Sequence, residues 1–134
     1  MTLSDILDAT VATAAPTTPV GDVTAAMREG SLELVAVLDE QRPLGLLTPA
    51  DIGRAYVAGE DLDGETAGEI LSDDLVTVRE SEDLSALVAH LADENARRAA
   101  VVDDAGDFVG VVRLEDALVQ YGEDLTRILS MFDG

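Results

Sequence analysis

The chain has 134 residues, 47% of them apolar, enough for one ordinary core, and the length argues for a single domain. It contains no cysteine, which excludes disulfides, thiolate chemistry and cysteine-based zinc or iron–sulfur sites. Asp and Glu number 28 against 8 basic residues, a formal net charge of −20, and with no basic patch nucleic acid is excluded as a partner.

Met1-Thr-Leu-Ser-Asp5 lacks the basic stretch that opens a secretory leader, so the expected location is the cytoplasm. Leu3, Ile6 and Leu7 follow i, i+3, i+4 spacing and predict a short helix that packs on the domain or on a partner protein. Ala9 to Gly21 is the longest uncharged stretch, but it holds Pro16 and Pro19 and is too short and too polar to cross a membrane. Within it, Val11 to Thr13 reads as a short strand. Thr18-Pro19 then has the form of a capping hydroxyl followed by a proline at the first helical position, and Val20, Val23 and Met27 recur at helical spacing until Gly30. Leu34 to Leu38 and Leu44 to Leu47 predict a hairpin buried on both faces and joined by a polar turn. Thr48-Pro49 opens a second helix with Ile52, Ala55 and Tyr56 as buried positions. Gly59 to Gly64, acidic and bounded by glycine, reads as a linker, and Thr66-Ala-Gly-Glu69 has the form of a capping box that starts a short helix.

The same order then returns. Leu75 to Val78 reads as a strand, and Ser81 opens a helix that carries Leu84, Leu87, Val88 and Leu91 on one face and fades at Asp93-Glu-Asn95. A hairpin of Ala99 to Val102 and Phe108 to Val112 follows, then a helix led by Leu114-Glu115 with Ala117, Leu118 and Tyr121 as buried positions. Leu125, Ile128, Leu129 and Phe132 predict a second helical end outside the repeated order, again packing on the domain or on a partner.

The repetition is in register. Val23, Met27, Ala36 and Asp39 become Leu87, Leu91, Ala100 and Asp103 by adding 64, whereas Gly45, Asp51 and Tyr56 become Gly110, Asp116 and Tyr121 by adding 65. One residue has therefore been inserted in the second hairpin turn, where a surface loop tolerates it. Two units of about 60 residues are too long and too few for a solenoid. The expected architecture is mixed α/β (α+β), strand-helix-strand-strand-helix twice with a pseudo-twofold relation, divided at residues 1–65 and 66–134.

Val37-Leu-Asp39-Glu40 and Val101-Val-Asp103-Asp104, followed by Gly-x-x-Thr-x-x-Asp at Gly45, Thr48 and Asp51, resemble the motifs of a CBS-domain pair (a Bateman module) over residues 11 to 122. The copies depart from that family's pattern at Ala36 and Ala100, where a proline is common, and at Arg113, which replaces the hydroxyl residue. The resemblance implies a non-catalytic regulatory sensor whose two clefts bind adenosine compounds: AMP, ADP, ATP or S-adenosylmethionine. It further implies a homodimer and an effector protein. The alternative is a module with empty clefts that serves dimerisation. Composition adds that the eight basic residues are all arginine; acidity without lysine resembles proteins of salt-loving archaea, where salt of about 1 M shortens the Debye length to about 3 Å.

Within that resemblance, Asp51 suits the ribose hydroxyls and Thr48, with the helix N-terminus, suits a phosphate. Thr48-Pro-x-Asp51 is equally a good helix start with no ligand at all. At the second copy Asp116 keeps the ribose role, and Arg113 either binds phosphate or is a solvated charge. By pattern the first site is the ribose-phosphate site, while the second favours a more anionic ligand or stays empty. Leu34, Val35 and Ala36, with Ala99 and Ala100 in the other copy, are the implied adenine-facing backbone. Thr13 and Thr77 line the clefts or are ordinary strand threonines. Tyr56 and Tyr121 either meet a second copy across the dimer or are buried within one chain.

Other signals fail. No Walker A or Gly-x-Gly-x-x-Gly pattern occurs, no activated nucleophile or tuned acid–base pair stands out, and the acidic loops at Asp61 and Asp103 lack EF-hand spacing. No resident metal or obligatory cofactor is expected, and His90, the only histidine, has no metal-ligand partners in the pattern.

Overall fold

The computed structural model of the chain describes residues 3–59, 61–72 and 74–132. A 3-10 turn, Leu3–Asp5, precedes β1 (Ala12–Ala14), α1 (Val20–Gly30), β2 (Val35–Asp39), β3 (Arg42–Leu47) and α2 (Pro49–Val57). A second 3-10 turn, Ala67–Ile70, precedes β4 (Thr77–Arg79), α3 (Leu84–Asp93), β5 (Arg98–Val102), β6 (Phe108–Arg113) and α4 (Leu114–Ser130). Each copy forms a three-stranded sheet, β1-β2-β3 and β4-β5-β6, with a parallel first pair and an antiparallel hairpin.

The repeat reaches down to irregularities. Both hairpins carry a register shift at the same point, Val37/Leu38 and Val101/Val102. The extra residue sits in the second turn, where the Asp103 carboxylate accepts from Ala105 N–H at 2.9 Å and Asp107 N–H at 3.0 Å. That explains an acid at the strand end: a carboxylate closes the turn by bonding backbone two and four residues on. Glu40, at φ 60°, takes the left-handed position in the shorter turn, and Gly106, at φ 88°, takes it in the longer.

Each sheet buries one face against its own two helices, but the two cores are not private. Val20, Val23, Met27, Val35, Val37, Leu47 and Ile52 form the first core, joined by Ala67, Ile70 and Leu71 from the second copy. Val78, Leu84, Leu87, Leu91, Val101 and Val112 form the second, joined by Leu3, Ile6 and Leu7 from the first. The two 3-10 turns are equivalent under the shift of 64, and their anchoring bonds match: Leu3 N–H donates to the Glu82 carbonyl at 3.2 Å, and Ala67 N–H to the Thr18 carbonyl at 2.8 Å. Each copy's opening segment thus completes the other copy's core.

Several expectations need correction. Residues 3 to 7 are not a helical end outside the repeat: they are the first copy's opening turn, with Leu3 fully buried. The C-terminal helical end is likewise not separate, because α4 runs unbroken from the second copy's motif through Ser130. Thr18 does not cap α1; its hydroxyl accepts from Ala15 N–H at 3.0 Å, and Pro19 holds the cap position. Asp83, not Ser81, caps α3 by accepting from Ala86 N–H at 2.8 Å. At α3 two polar residues satisfied the pattern and turn geometry chose the second, whereas at α1 the Thr18 hydroxyl is spent on the preceding turn and no side chain caps the helix. The 59–64 segment is more than a linker, since Leu62 packs on the first core. Tyr56, Leu118 and Tyr121, expected as buried, are exposed in the single chain.

Candidate ligand cleft

Thr48 follows β3 with extended backbone, φ −117° and ψ 164°, and Pro49 starts α2 without wasting a backbone donor. Thr48 Oγ1 accepts from Asp51 N–H at 3.3 Å, and Asp51 Oδ2 accepts from Thr48 N–H at 2.8 Å and from its hydroxyl at 3.0 Å. This is a complete capping box, so the helix-start reading of Thr-Pro-x-Asp is realised. The other carboxylate oxygen, Oδ1, accepts from the Arg54 guanidinium one turn on.

Asp51 and Arg54 also face a cavity of about 660 Å³ between the two copies. One wall is first-copy residues Gly45, Leu46, Asp51 and Arg54; the other is second-copy residues 72 and 74–76 with Asn95, Ala96, Arg97 and Arg98. The volume lies in the range of small-molecule sites. Gly45 leaves room on this wall for the tip of Leu71, whose methyl a Cβ would approach to 2.5 Å. Three of the chain's eight arginines stand around this one space, opposed by Asp51 and Asp74.

The remaining candidates fall elsewhere. Leu34, just ahead of β2, and Val35, Ala36, Ala99 and Ala100 within the sheets are buried and line no wall of the Asp51 cavity, whose facing backbone comes from the other copy, ahead of β4 and at the start of β5. Thr13 and Thr77 hold equivalent registers, opposite Ala36 and Ala100, but Thr13 borders a different hollow of about 700 Å³ beside Phe108, and Thr77 one of about 300 Å³ beside His90. His90 Nδ1 lies 3.8 Å from Glu82 on a half-exposed side chain. Arg54, Arg97 and Arg98 escaped the sequence reading; the signal was an Arg-Arg doublet directly before a strand in a chain poor in cations.

The second copy is built differently at the same place. Asp8 and Val111 exchange backbone hydrogen bonds at 2.8 and 3.0 Å, so the opening segment lies directly on β6, and a Cβ on Gly110 would meet the Asp8 carbonyl oxygen at 2.6 Å. Arg113 makes no cap bond to α4; its guanidinium lies 3.7 Å from the Asp8 carboxylate. Asp8 also accepts from the Thr10 hydroxyl at 2.7 Å and its N–H at 2.9 Å; Thr10 first, with help from Arg113, holds this carboxyl below its ordinary range. Asp116 has no hydrogen bond or ion pair among the described residues.

The CBS domain family profile matches residues 3–58 and 67–123. The chain belongs to the CBS domain family. Both matched CBS segments begin in the opening turns, in keeping with the exchange of those turns between cores. An uncharacterised protein of Methanopyrus kandleri is 31% identical over 110 residues, covering 81% of this chain and 56% of its own length. The chain thus spans little more than half of that relative. A CBS domain protein of Pyrobaculum aerophilum, solved in complex with AMP, is 23% identical with a TM-score of 0.75, covering 87% of this chain and 89% of that one. The CBS domain pair of protein MJ0100, solved with 5′-methylthioadenosine and S-adenosyl-L-methionine, is 22% identical with a TM-score of 0.77 over 92% and 98%. At those identities the likeness concerns the fold: a tandem CBS pair of mixed α and β structure. Among the described residues no helix is long and apolar enough to cross a membrane, and no group of three or more acidic, histidine or cysteine side chains is disposed to hold a metal.

Proposed function

We propose that this chain is a non-catalytic regulatory sensor that binds an adenosine-containing ligand, AMP, ADP, ATP or S-adenosylmethionine, and transmits occupancy to an effector protein. The observation that carries this reading is the cavity at Asp51, because its walls come from both copies. A ligand there bonds to both, and occupancy becomes a change in how residues 1–65 pack on 66–134. Asp51 serves the ribose diol, Thr48 with the N-terminus of α2 assists a phosphate, and Arg113 with Asp116 forms the weaker counterpart. The relatives solved with AMP and with S-adenosyl-L-methionine support the ligand class. The composition supports a cytoplasm of high salt as the working solvent, since a net charge of −20 is tolerable where charges beyond about 3 Å are screened.

The sensor works as a homodimer. Tyr56 is 71% exposed on α2 and Tyr121 40% exposed on α4, and Leu118, Leu125 and Ile128 extend the apolar stripe along α4. Leu118, Tyr121, Leu125, Ile128 and Phe132 alternate at spacings of three and four, the seam of a helix that packs on another. The same stripe favours the second reading, an assembly module with empty clefts. Thermal shift in molar KCl separates the two. Ligand at one hundred times its Kd adds about 2.7 kcal/mol to stability, a rise of several degrees. If AMP, ATP, S-adenosylmethionine and adenosine all leave Tm unchanged at saturating concentration while light scattering reports a dimer, the assembly reading replaces the sensor.

A further inference from the structure

Resting on the sensor reading, we propose that the Asp51 cleft is latched by Arg54 and admits adenosyl ligands that carry a phosphate chain, a nucleoside diphosphate or triphosphate, in preference to adenosine or a sulfonium compound. Of the two Asp51 oxygens, Oδ2 is engaged by both donors of Thr48 and is needed for the helix cap. Oδ1 is therefore the oxygen left for a ribose diol, and the Arg54 guanidinium sits on it. Arg54 is 72% exposed, and an exposed ion pair of this kind holds weakly, so the guanidinium leaves readily when a better anion is offered. A phosphate is such an anion, because it accepts two parallel guanidinium hydrogen bonds. Arg97 and Arg98, on the opposite wall, have no carboxylate partner among the described residues of a chain with 28 acids. A phosphate chain entering between the walls draws Arg54 off Asp51 and uncovers Oδ1 for the ribose. Adenosine must displace Arg54 and gives it nothing in return, while S-adenosylmethionine offers a single carboxylate and brings a sulfonium and an ammonium up to three arginines.

The device belongs to this cleft and not to the repeat. Under the register shifts of 64 and 65, Arg54, Arg97 and Arg98 correspond to Val119, Glu33 and Leu34, so the second copy has neither latch nor cationic wall, and its own Arg113 is turned to Asp8. The charge order expected from the motifs alone is thus reversed: the intact Gly-x-x-Thr-x-x-Asp copy is the one suited to the more anionic ligand.

The test is isothermal titration at fixed molar KCl with ATP, ADP, adenosine and S-adenosylmethionine, in an Asp116→Ala background that silences the second copy. ATP is expected to bind at least tenfold tighter than adenosine. Arg54→Ala is expected to act with opposite signs, weakening ATP several-fold while tightening adenosine, because it removes a phosphate ligand and opens the ribose oxygen at once. Replacing Arg97 and Arg98 together with alanine narrows the gap between ATP and adenosine. Arg54 is largely exposed, so its removal leaves the fold intact, as the far-ultraviolet spectrum checks. Adenosine or S-adenosylmethionine binding as tightly as ATP, or adenosine binding that Arg54→Ala weakens or leaves alone, overturns the latch while the sensor reading stands. Silence from all four ligands overturns both.

Discussion

Replacing Leu3 with alanine is expected to unsettle the half of the molecule that does not contain it in sequence. Leu3 is 0% exposed and packs among Val78, Leu84 and Leu87 of the second copy, with its N–H on the Glu82 carbonyl. Truncating a fully buried leucine leaves a cavity and costs about 2–5 kcal/mol. For a chain of this size each kcal/mol moves Tm by about 3–5 °C, so Leu3→Ala lowers Tm by at least about 6 °C. Differential scanning calorimetry in molar KCl reads this directly, with Glu29→Gln on exposed α1 as a reference that stays within about 0.5 kcal/mol. Because each core borrows residues from the other copy, the melt should remain a single transition that moves as a whole. A shift no larger than that of Glu29→Gln, or a melt that splits with one component unmoved, would refute the exchange of opening turns.

Gly110→Ala and Gly45→Ala should differ: the added Cβ at 110 meets the fixed Asp8 carbonyl at 2.6 Å, whereas at 45 it meets the tip of Leu71. Urea denaturation is expected to show a loss of about 1–3 kcal/mol for the first and less for the second, with faster amide exchange at Asp8 only in Gly110→Ala. Asp8 has a folded pKa below its ordinary value of 3.8, so what it contributes is complete above about 3.8 and is lost as pH falls from 3.8 through the depressed value. Asp8→Asn should therefore narrow the stability difference from wild type below that range, and a difference that persists at the lowest pH argues against the Thr10 and Arg113 contacts. Lowering KCl from about 2 M to about 0.05 M lengthens the Debye length from about 2 Å to more than 10 Å, and Tm should fall steeply for a chain of net charge −20. Leu125→Glu on the exposed face of α4 is expected to give a monomer by light scattering without lowering helix content, and an unchanged dimer rules that stripe out as the seam.

Much of the fold was legible because the repeat supplied two independent statements of it. The strands and helices of each copy fall within a few residues of the apolar patterns, and Thr48-Pro-x-Asp51 folds as the cap its chemistry dictates. What was not legible is what depends on the partner copy. Leu3, Ile6 and Leu7 carry the same spacing whether they pack on their own half or the other, and periodicity does not encode an address. The alternation at Leu118, Tyr121 and Leu125 fixes a helix face, not its burial, and in one chain that face is open. The candidate site was half legible for the same reason. Asp51 was found from its motif, but Arg97 and Arg98 reach it only because the second copy's edge folds across, a juxtaposition with no local signature.

The exchanged opening turns also constrain how such a chain can arise. A polypeptide holding one copy would have an apolar pocket over its sheet that its own opening segment does not fill, and could close that pocket only with the same segment of a second polypeptide. Two such chains lending each other residues equivalent to Leu3, Ile6 and Leu7 form a segment-swapped pair, the low-cost route to a twofold complex. Joined end to end, they give the present arrangement, with the loan made within one molecule and its concentration dependence abolished. The two halves are then free to diverge at their clefts, as Arg54 against Val119 and Thr48 against Arg113 record, while neither can discard the few apolar residues it owes the other.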